Sequence, residues 1–264
     1  LTCKSYEKAV SLTREYLTKE ELAEILYEAA SFMLINNVFE ESMNYYIECL
    51  EIYFRLSEDN PEIYKHKLAV TLDKLAGLYS IIQRYKESEQ MYKKSFKIYR
   101  CLLEDNPEIY ESEVARVLDH LATLYAQTRR YEESERLYMV SLENYRRLLK
   151  DNSEMYKSDV AGVLGNLATL YARTRRYEES EQIYMESLDI YRCLLNDIKI
   201  CNFNVAKVLG DLAILYAKTR RYEESEKMYN TLLELYRSLV EKYPEVFEPY
   251  LANNLRNLAE LYHT

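Results

Sequence analysis

The chain has 264 residues, of which 35 are Lys or Arg and 44 are Asp or Glu, giving a formal net charge of −9 at pH 7. Only 4 Gly and 4 Pro punctuate it, too few for the turns of a β-sandwich or barrel, or for a Gly-rich phosphate loop. An apolar share of 48% excludes a disordered chain, the acidic balance argues against general affinity for nucleic acid or anionic membrane, and no apolar run nears the ~20 residues of a membrane span.

One five-residue phrase recurs along the chain: Leu75-Ala76-Gly77-Leu78-Tyr79, Leu121-Ala122-Thr123-Leu124-Tyr125, Leu167-Ala168-Thr169-Leu170-Tyr171, Leu212-Ala213-Ile214-Leu215-Tyr216 and Leu258-Ala259-Glu260-Leu261-Tyr262. The spacings are 46, 46, 45 and 46 residues, and a weaker copy upstream places Ala30 in the Ala76 column. Of the 28 tyrosines, 22 fall in columns of this period. One column is Tyr46, Tyr92, Tyr138, Tyr184 and Tyr229; another is Tyr53, Tyr99, Tyr145, Tyr191 and Tyr236. They read as architecture.

In chain order, Ser5-Tyr6-Glu7-Lys8-Ala9 in segment 1–17 matches the opening of a second helix with no first helix before it. The segments 18–59, 60–105, 106–151, 152–197 and 198–242 follow the repeat, and in 243–264 the stretch from Tyr250 to Thr264 supplies a first helix with no second. Ten helices are expected, an unpaired one at each end and four full hairpins between. Within one unit, Val114, Leu118, Leu121, Ala122, Leu124 and Tyr125 keep the 3, 4, 7 spacing of a helix face. Thr128-Arg129-Arg130 interrupts, and a second amphipathic stretch runs from Tyr131 through Tyr138 and Tyr145 to Leu149. Asn106 reads as an N-cap, with Pro107 at the first helical position and Glu108 in the first turn. Asn60-Pro61-Glu62 repeats that start, and Asn152-Ser153-Glu154 keeps it without the proline. Around Asn196-Asp197-Ile198-Lys199 the signature is lost and Cys201 replaces a tyrosine, which predicts an irregular junction. No helix can bury its stripe alone, so hairpins must stack into a solenoid. Both ends leave a hairpin half-made and the first residue is Leu1, so a piece of a longer array is expected.

Reactive chemistry is not legible. His66, His120 and His263 lie far apart with no second ligand at a metal spacing, and no nucleophile motif or phosphate loop exists. No catalytic residue, metal or cofactor is assigned. The acidic pairs Glu132-Glu133, Glu178-Glu179 and Glu223-Glu224 suit helix starts. Five cysteines, Cys3, Cys49, Cys101, Cys193 and Cys201, include no C-x-x-C pair. That suggests a reducing, cytoplasmic setting, with Cys101 and Cys193 as buried small hydrophobes of one column.

Leu118, Leu121, Ala122 and Tyr125, then Tyr131-Glu132-Glu133-Ser134, then Tyr138 and Ser141 resemble the tetratricopeptide repeat. The departures are regular: Ala for the usual glycine, Leu for Trp, and Ser for both small alanines. The unit is 46 residues long against ~34 in the family; the second helix is expected to carry the extra two turns. This long form is similar to the repeats of kinesin light chains and of many bacterial regulatory proteins. The resemblance implies an all-α, right-handed superhelical solenoid of antiparallel helix hairpins, without enzymatic activity. It also implies a concave groove that binds a protein or peptide segment.

The residues of that groove would come from the face of the first helices opposite the stack. Arg116, Asp119, Thr123 and Gln127 share this face. Their counterparts include Asp73 and Gly77; Gly162, Gly165, Thr169 and Arg173; Lys207, Gly210 and Lys218; and Asn253 and Arg256. His120, Asn166, Asp211 and Asn257 stand one place on. All four glycines fall in this set. They either clear space for a ligand backbone or let first helices approach closely. Family members that grip an acidic C-terminus use Lys, Asn and Arg at such columns, and here Lys207, Asn166, Asn257 and Arg256 are present without the full set in register. Arginine pairs in the hairpin turns, Arg129-Arg130, Arg175-Arg176 and Arg220-Arg221, form a basic edge. Ion pairing with neighbouring glutamates is favoured over an anion contact line. The expected function is a non-catalytic scaffold for a protein or peptide. The alternatives are a sensor segment of a larger signalling protein and a module that self-associates end to end.

Overall fold

The computed structural model describes residues 5, 6, 8, 10, 11, 18–151, 155–194 and 200–263. Among them are α1 (Lys19–Ile35) and α2 (Phe39–Asp59), α3 (Pro61–Ile81) and α4 (Tyr85–Asp105), and α5 (Pro107–Gln127) and α6 (Tyr131–Asp151). Next come α7 (Lys157–Arg173) and α8 (Tyr177–Cys193), α9 (Ile200–Lys218) and α10 (Tyr222–Val240), and finally α11 (Pro244–Leu261). The described residues hold no strand. Residues 5, 6, 8, 10 and 11 are helical as well, so with the eleven named helices the expected ten is exceeded by two, because segment 18–59 folds as a fifth full hairpin. The last helix starts at Pro244 rather than Tyr250, since proline suits the first helical position. Both helices of a repeat have 21 residues in α3 to α6, so the lengthening is shared and does not fall on the second alone. Within Ser5–Ala9, Ser5, Tyr6 and Lys8 are helical. The Asn152 cap and the junction at 196–199 lie outside the described residues.

The chain divides into two compact units, residues 1–141 and 142–264. In the first, each of α1 to α4 packs on the next helix, and α3 also touches α5. In the second, α7 to α11 pack in the same sequential way, and α7 touches α9.

Each hairpin is closed by the same polar contact. Serines near the start of the second helices donate to carbonyls of buried alanines on the first. Ser42 bonds Ala30 at 2.8 Å, Ser88 bonds Ala76 at 2.8 Å and Ser134 bonds Ala122 at 2.7 Å. In the second unit Ser180 bonds Ala168 and Ser225 bonds Ala213, both at 2.8 Å. A second serine two turns on repeats the bond one level up: Ser95 to Ala69, Ser141 to Ala115 and Ser187 to Ala161. Cys49 takes this place in the first hairpin, 3.2 Å from the Ala23 carbonyl. Small side chains on both partners bring the helices together, and the hydroxyl satisfies itself where no water reaches. Tyrosines fill the remaining volume; Tyr46, Tyr99 and Tyr184 are among the largest fully buried side chains. The other cysteines depart from expectation: Cys101 and Cys193 are exposed free thiols, because their column lies on the outward side of the second helix.

The turns use left-handed residues that are not glycine. Asn37, Gln83, Arg129, Arg175 and Arg220 have φ between 60° and 64°. The Arg130 N–H donates to the Tyr125 carbonyl at 2.8 Å and the Arg129 N–H to that of Ala126 at 3.3 Å, satisfying the last carbonyls of the helix. Asn60 and Asn106 occupy N-cap positions but make no side-chain capping bond, so proline and the first-turn acid set those starts. Helix α1 starts with a capping box, Thr18 with Glu21.

Ser134→Ala is expected to cost about 1 kcal/mol through the lost buried bond, whereas Arg129→Gly should gain about 1 kcal/mol by relieving the left-handed backbone. Chemical denaturation midpoints of the two variants check both signs.

Candidate functional site

The inner face of the first unit is built by α3 and α5, and its polar residues are bonded to one another. Asp73, 3% exposed, sits beneath Arg116 and His120. The Arg116 guanidinium binds its carboxylate and also that of Glu113, and His120 Nδ1 lies 2.9 Å from Asp73 Oδ1. Burial alone would push the Asp73 carboxyl up; the bonds from His120 and Arg116 outweigh it and hold the carboxyl below the usual range. Thr123 shares a 2.9 Å hydrogen bond with the Tyr138 hydroxyl, and Gln127 accepts one from Ser80 at 2.7 Å. Asp119 is half-buried beside them. Of the residues expected to face a ligand here, Arg116, His120, Thr123 and Gln127 are thus engaged in joining helices.

In the second unit the corresponding face, on α7 and α9, is differently charged. Arg173, Lys207 and Lys218 are exposed, and none has a carboxylate partner among the described residues. Lys207 donates to the Asn166 side-chain oxygen, at 3.3 Å. Between them lies Asp211, half-buried and without a hydrogen-bond donor among the described residues. Burial pushes its carboxyl up, against the pull of Lys207, Arg173 and Lys218. Three cations to one poorly solvated carboxylate leave this face positive within an acidic chain. Thr169 is spoken for, bonded to the Tyr184 hydroxyl at 2.8 Å and to the Gly165 carbonyl at 2.9 Å. On α11, Asn253 and Arg256 bond each other and stay exposed.

The glycines do not require close approach. Among the described residues, a Cβ at Gly162 would come nearest to the Tyr191 hydroxyl, at 3.5 Å, and one at Gly165 nearest to Ser187 Oγ, at 3.7 Å. At Gly77 and Gly210 the nearest atoms stand 3.5 and 3.7 Å away. These are ordinary contact distances, and the Cβ vectors aim at the second-helix side chains.

The basic edge separates into two kinds of arginine. The second of each pair is consumed. Arg130 lies with its guanidinium 3.7 Å from the Tyr125 ring centroid, donating to Glu133 at 2.7 Å and to Glu89 at 3.0 Å. Arg176 covers Tyr171 and pairs with Glu179, and Arg221 covers Tyr216 and pairs with Glu181 and Glu224. The first of each pair, Arg129, Arg175 and Arg220, is exposed and holds the left-handed turn. Sequence reading missed Glu89 and Glu181, the acids that tie these clusters to the preceding repeat; Tyr125 and Tyr216 also donate to them, both at 2.9 Å. Their signal was the one-repeat offset from each Tyr-Arg turn. Partial burial raises the Glu89 carboxyl, but bonds from Lys93, Arg130 and Tyr125 outweigh this and hold it at about 2. Among the described residues no group of three His, Cys, Asp or Glu could hold a metal, and no helix is long and apolar enough to cross a membrane.

Models of the tetratricopeptide repeat match residues 113–192, 68–108 and 205–242, together more than half of the chain. No curated protein matches the sequence significantly. Similar solved structures include BtubC (BKLC) from P. vanneervenii, 21% identical with a TM-score of 0.68, covering 85% of this chain and 83% of that one. The apo form of RapI is 17% identical, TM-score 0.65, covering 98% and 90%. A STAND protein with a tetratricopeptide repeat sensor, PH0952 from Pyrococcus horikoshii, is 16% identical, TM-score 0.64, covering 97% of this chain and 39% of that one. These likenesses share the fold.

Gly162→Ala and Gly165→Ala should each stabilise the chain by about 1 kcal/mol, since the helix gains propensity without a clash; a lowered melting temperature would show that the space is needed. Glu89→Gln should destabilise at pH 7 by about 2 kcal/mol. Because the folded-state carboxyl lies below its ordinary 4.5, the wild-type advantage is present above that value and vanishes as pH falls toward 2. Denaturation at stepped pH reads the convergence.

Proposed function

The chain belongs to the tetratricopeptide-repeat family, and from that premise we propose that it is a non-catalytic scaffold whose first helices receive a segment of a partner protein. The inner face of α7 and α9 is the receiving surface. The observation that carries this reading is the contrast between the faces. Arg116 and His120 in the first unit are both bonded to Asp73, whereas Arg173, Lys207 and Lys218 in the second make no ion pair among the described residues and surround one half-buried carboxylate, Asp211. A segment carrying Asp, Glu or a terminal carboxylate would supply the missing counter-charge, and Asn166 and Asp211 would hydrogen-bond its backbone. Association would be faster at low ionic strength, as electrostatic complementarity requires. The exposed turn arginines Arg175 and Arg220 extend the positive surface of this unit.

A sensor role inside a larger signalling protein is the second reading, supported by the repeat sensor of the Pyrococcus horikoshii protein. Both readings place the chain in the cytoplasm and use the same face.

Capture from native lysate with the wild-type chain and with the Arg173→Glu/Lys207→Glu/Lys218→Glu variant tests the site, with circular dichroism to establish that both are equally helical. Loss of the captured protein from the variant, by tenfold or more, is the expected outcome. Equal capture by both would remove α7 and α9 from the site.

A further inference from the structure

A cleft lies away from the inner face, wholly within the first unit. Helices α2, α3 and α4 enclose an open cleft of about 400 Å³, within the ~300–1,000 Å³ range of ligand sites. Its floor is apolar: Leu68 and Leu72 of α3 are buried, Ile98 of α4 is half-buried, and Phe54 of α2 stands at the wall with 56% of its surface exposed. Its rim is basic. Lys65, Lys94 and Lys97 border the cleft, all three are exposed, and none makes an ion pair with the described residues. No acid lines the cleft, in a chain that carries nine more acids than bases.

The charge is specific to this place. Two repeats later a smaller cleft of about 260 Å³ recurs at the equivalent positions, with Lys157 for Lys65, Val160 for Leu68, Ile190 for Ile98 and Cys193 for Cys101. There Asp189 replaces Lys97 and Glu186 replaces Lys94, so the rim is no longer basic. In the repeat between, Arg147 stands at the cysteine position and donates to Asn144 at 3.4 Å.

The spacing of the lining names the occupant. Lys65, Leu68 and Leu72 are i, i+3 and i+7 on α3, and Lys94, Lys97 and Cys101 repeat that spacing on α4. The trough is therefore two helical turns long, about 11 Å, open along its length and bounded by helices. That geometry takes the apolar side chains of a docked helix at i and i+3 or i+4, and the three lysines require acids flanking them. We propose that this cleft docks an acidic amphipathic helix of a partner protein, independently of the α7 and α9 face.

The test is selection of helical peptides from a random displayed library on the wild-type chain, with counter-selection on the Lys65→Glu/Lys94→Glu/Lys97→Glu variant. These are exposed positions, and circular dichroism establishes that the variant is folded. The expected winners pair apolar residues at i and i+3 or i+4 with Asp or Glu beside them. A synthetic winner should bind at least tenfold more weakly to the lysine variant and to Phe54→Ala, and equally well to the Arg173→Glu/Lys207→Glu/Lys218→Glu variant. Winners without acids, or none that depend on the lysines, would overturn the proposal. So would a winner whose affinity survives Phe54→Ala, since charge alone would then explain binding. Tighter binding of decanoate than of any selected peptide would reassign the cleft to an anionic lipid.

Discussion

A buried serine hydroxyl that can be satisfied in one place only fixes this structure. Ser42, Ser88, Ser134, Ser180 and Ser225 are fully buried, and each reaches an alanine carbonyl of the preceding helix. A slip of one residue between the two helices would strand the hydroxyl away from water, at about 1–3 kcal/mol for each hairpin. Alanine packing alone would leave the register softer. The hydroxyl makes it directional, which lets an array of near-identical hairpins keep each helix in its own setting.

With the register set, the tyrosines and the turn clusters follow. Tyr138 and Tyr184 stand where they reach Thr123 and Thr169 of their own hairpins, so the threonines of the inner face serve the core. Tyr125 and Arg130 converge on Glu89 of the preceding repeat, and Tyr216 and Arg221 on Glu181. Each cluster joins adjacent repeats through a carboxylate that burial would otherwise disfavour. The Arg–Tyr contact and the paired charges act together, which is how partly exposed ion pairs become worth more than isolated ones.

The period, the helical hairpins and the structural role of the tyrosines were legible because they repeat within the chain. What remained illegible involves contacts across repeats or the direction of one side chain. Cys101 and Cys193 share a column, as a packing residue would, yet the column faces outward. Asn106 has the sequence of a cap but its side chain does not turn back to the helix. Arg116 and His120 looked available, and Asp73, some forty residues upstream, claims both; only the stacking of α3 on α5 reveals that pair. The arginines of each turn are indistinguishable in sequence. Backbone conformation separates them, one holding a left-handed turn and the other lying on a tyrosine.

The charges that the fold does not use to join its own helices define what the molecule offers to others. On the inner face of α7 and α9 they are Arg173, Lys207 and Lys218, with Asp211 between them. Methylating the lysines with carbon-13 keeps their charge and gives each a separate nuclear magnetic resonance signal. On addition of the segment of the captured partner, the signals of Lys207 and Lys218 should shift and that of exposed Lys227 should not. Shifts confined to lysines outside α9, with Lys207 and Lys218 unmoved, would contradict the assignment of this face as the receiving surface.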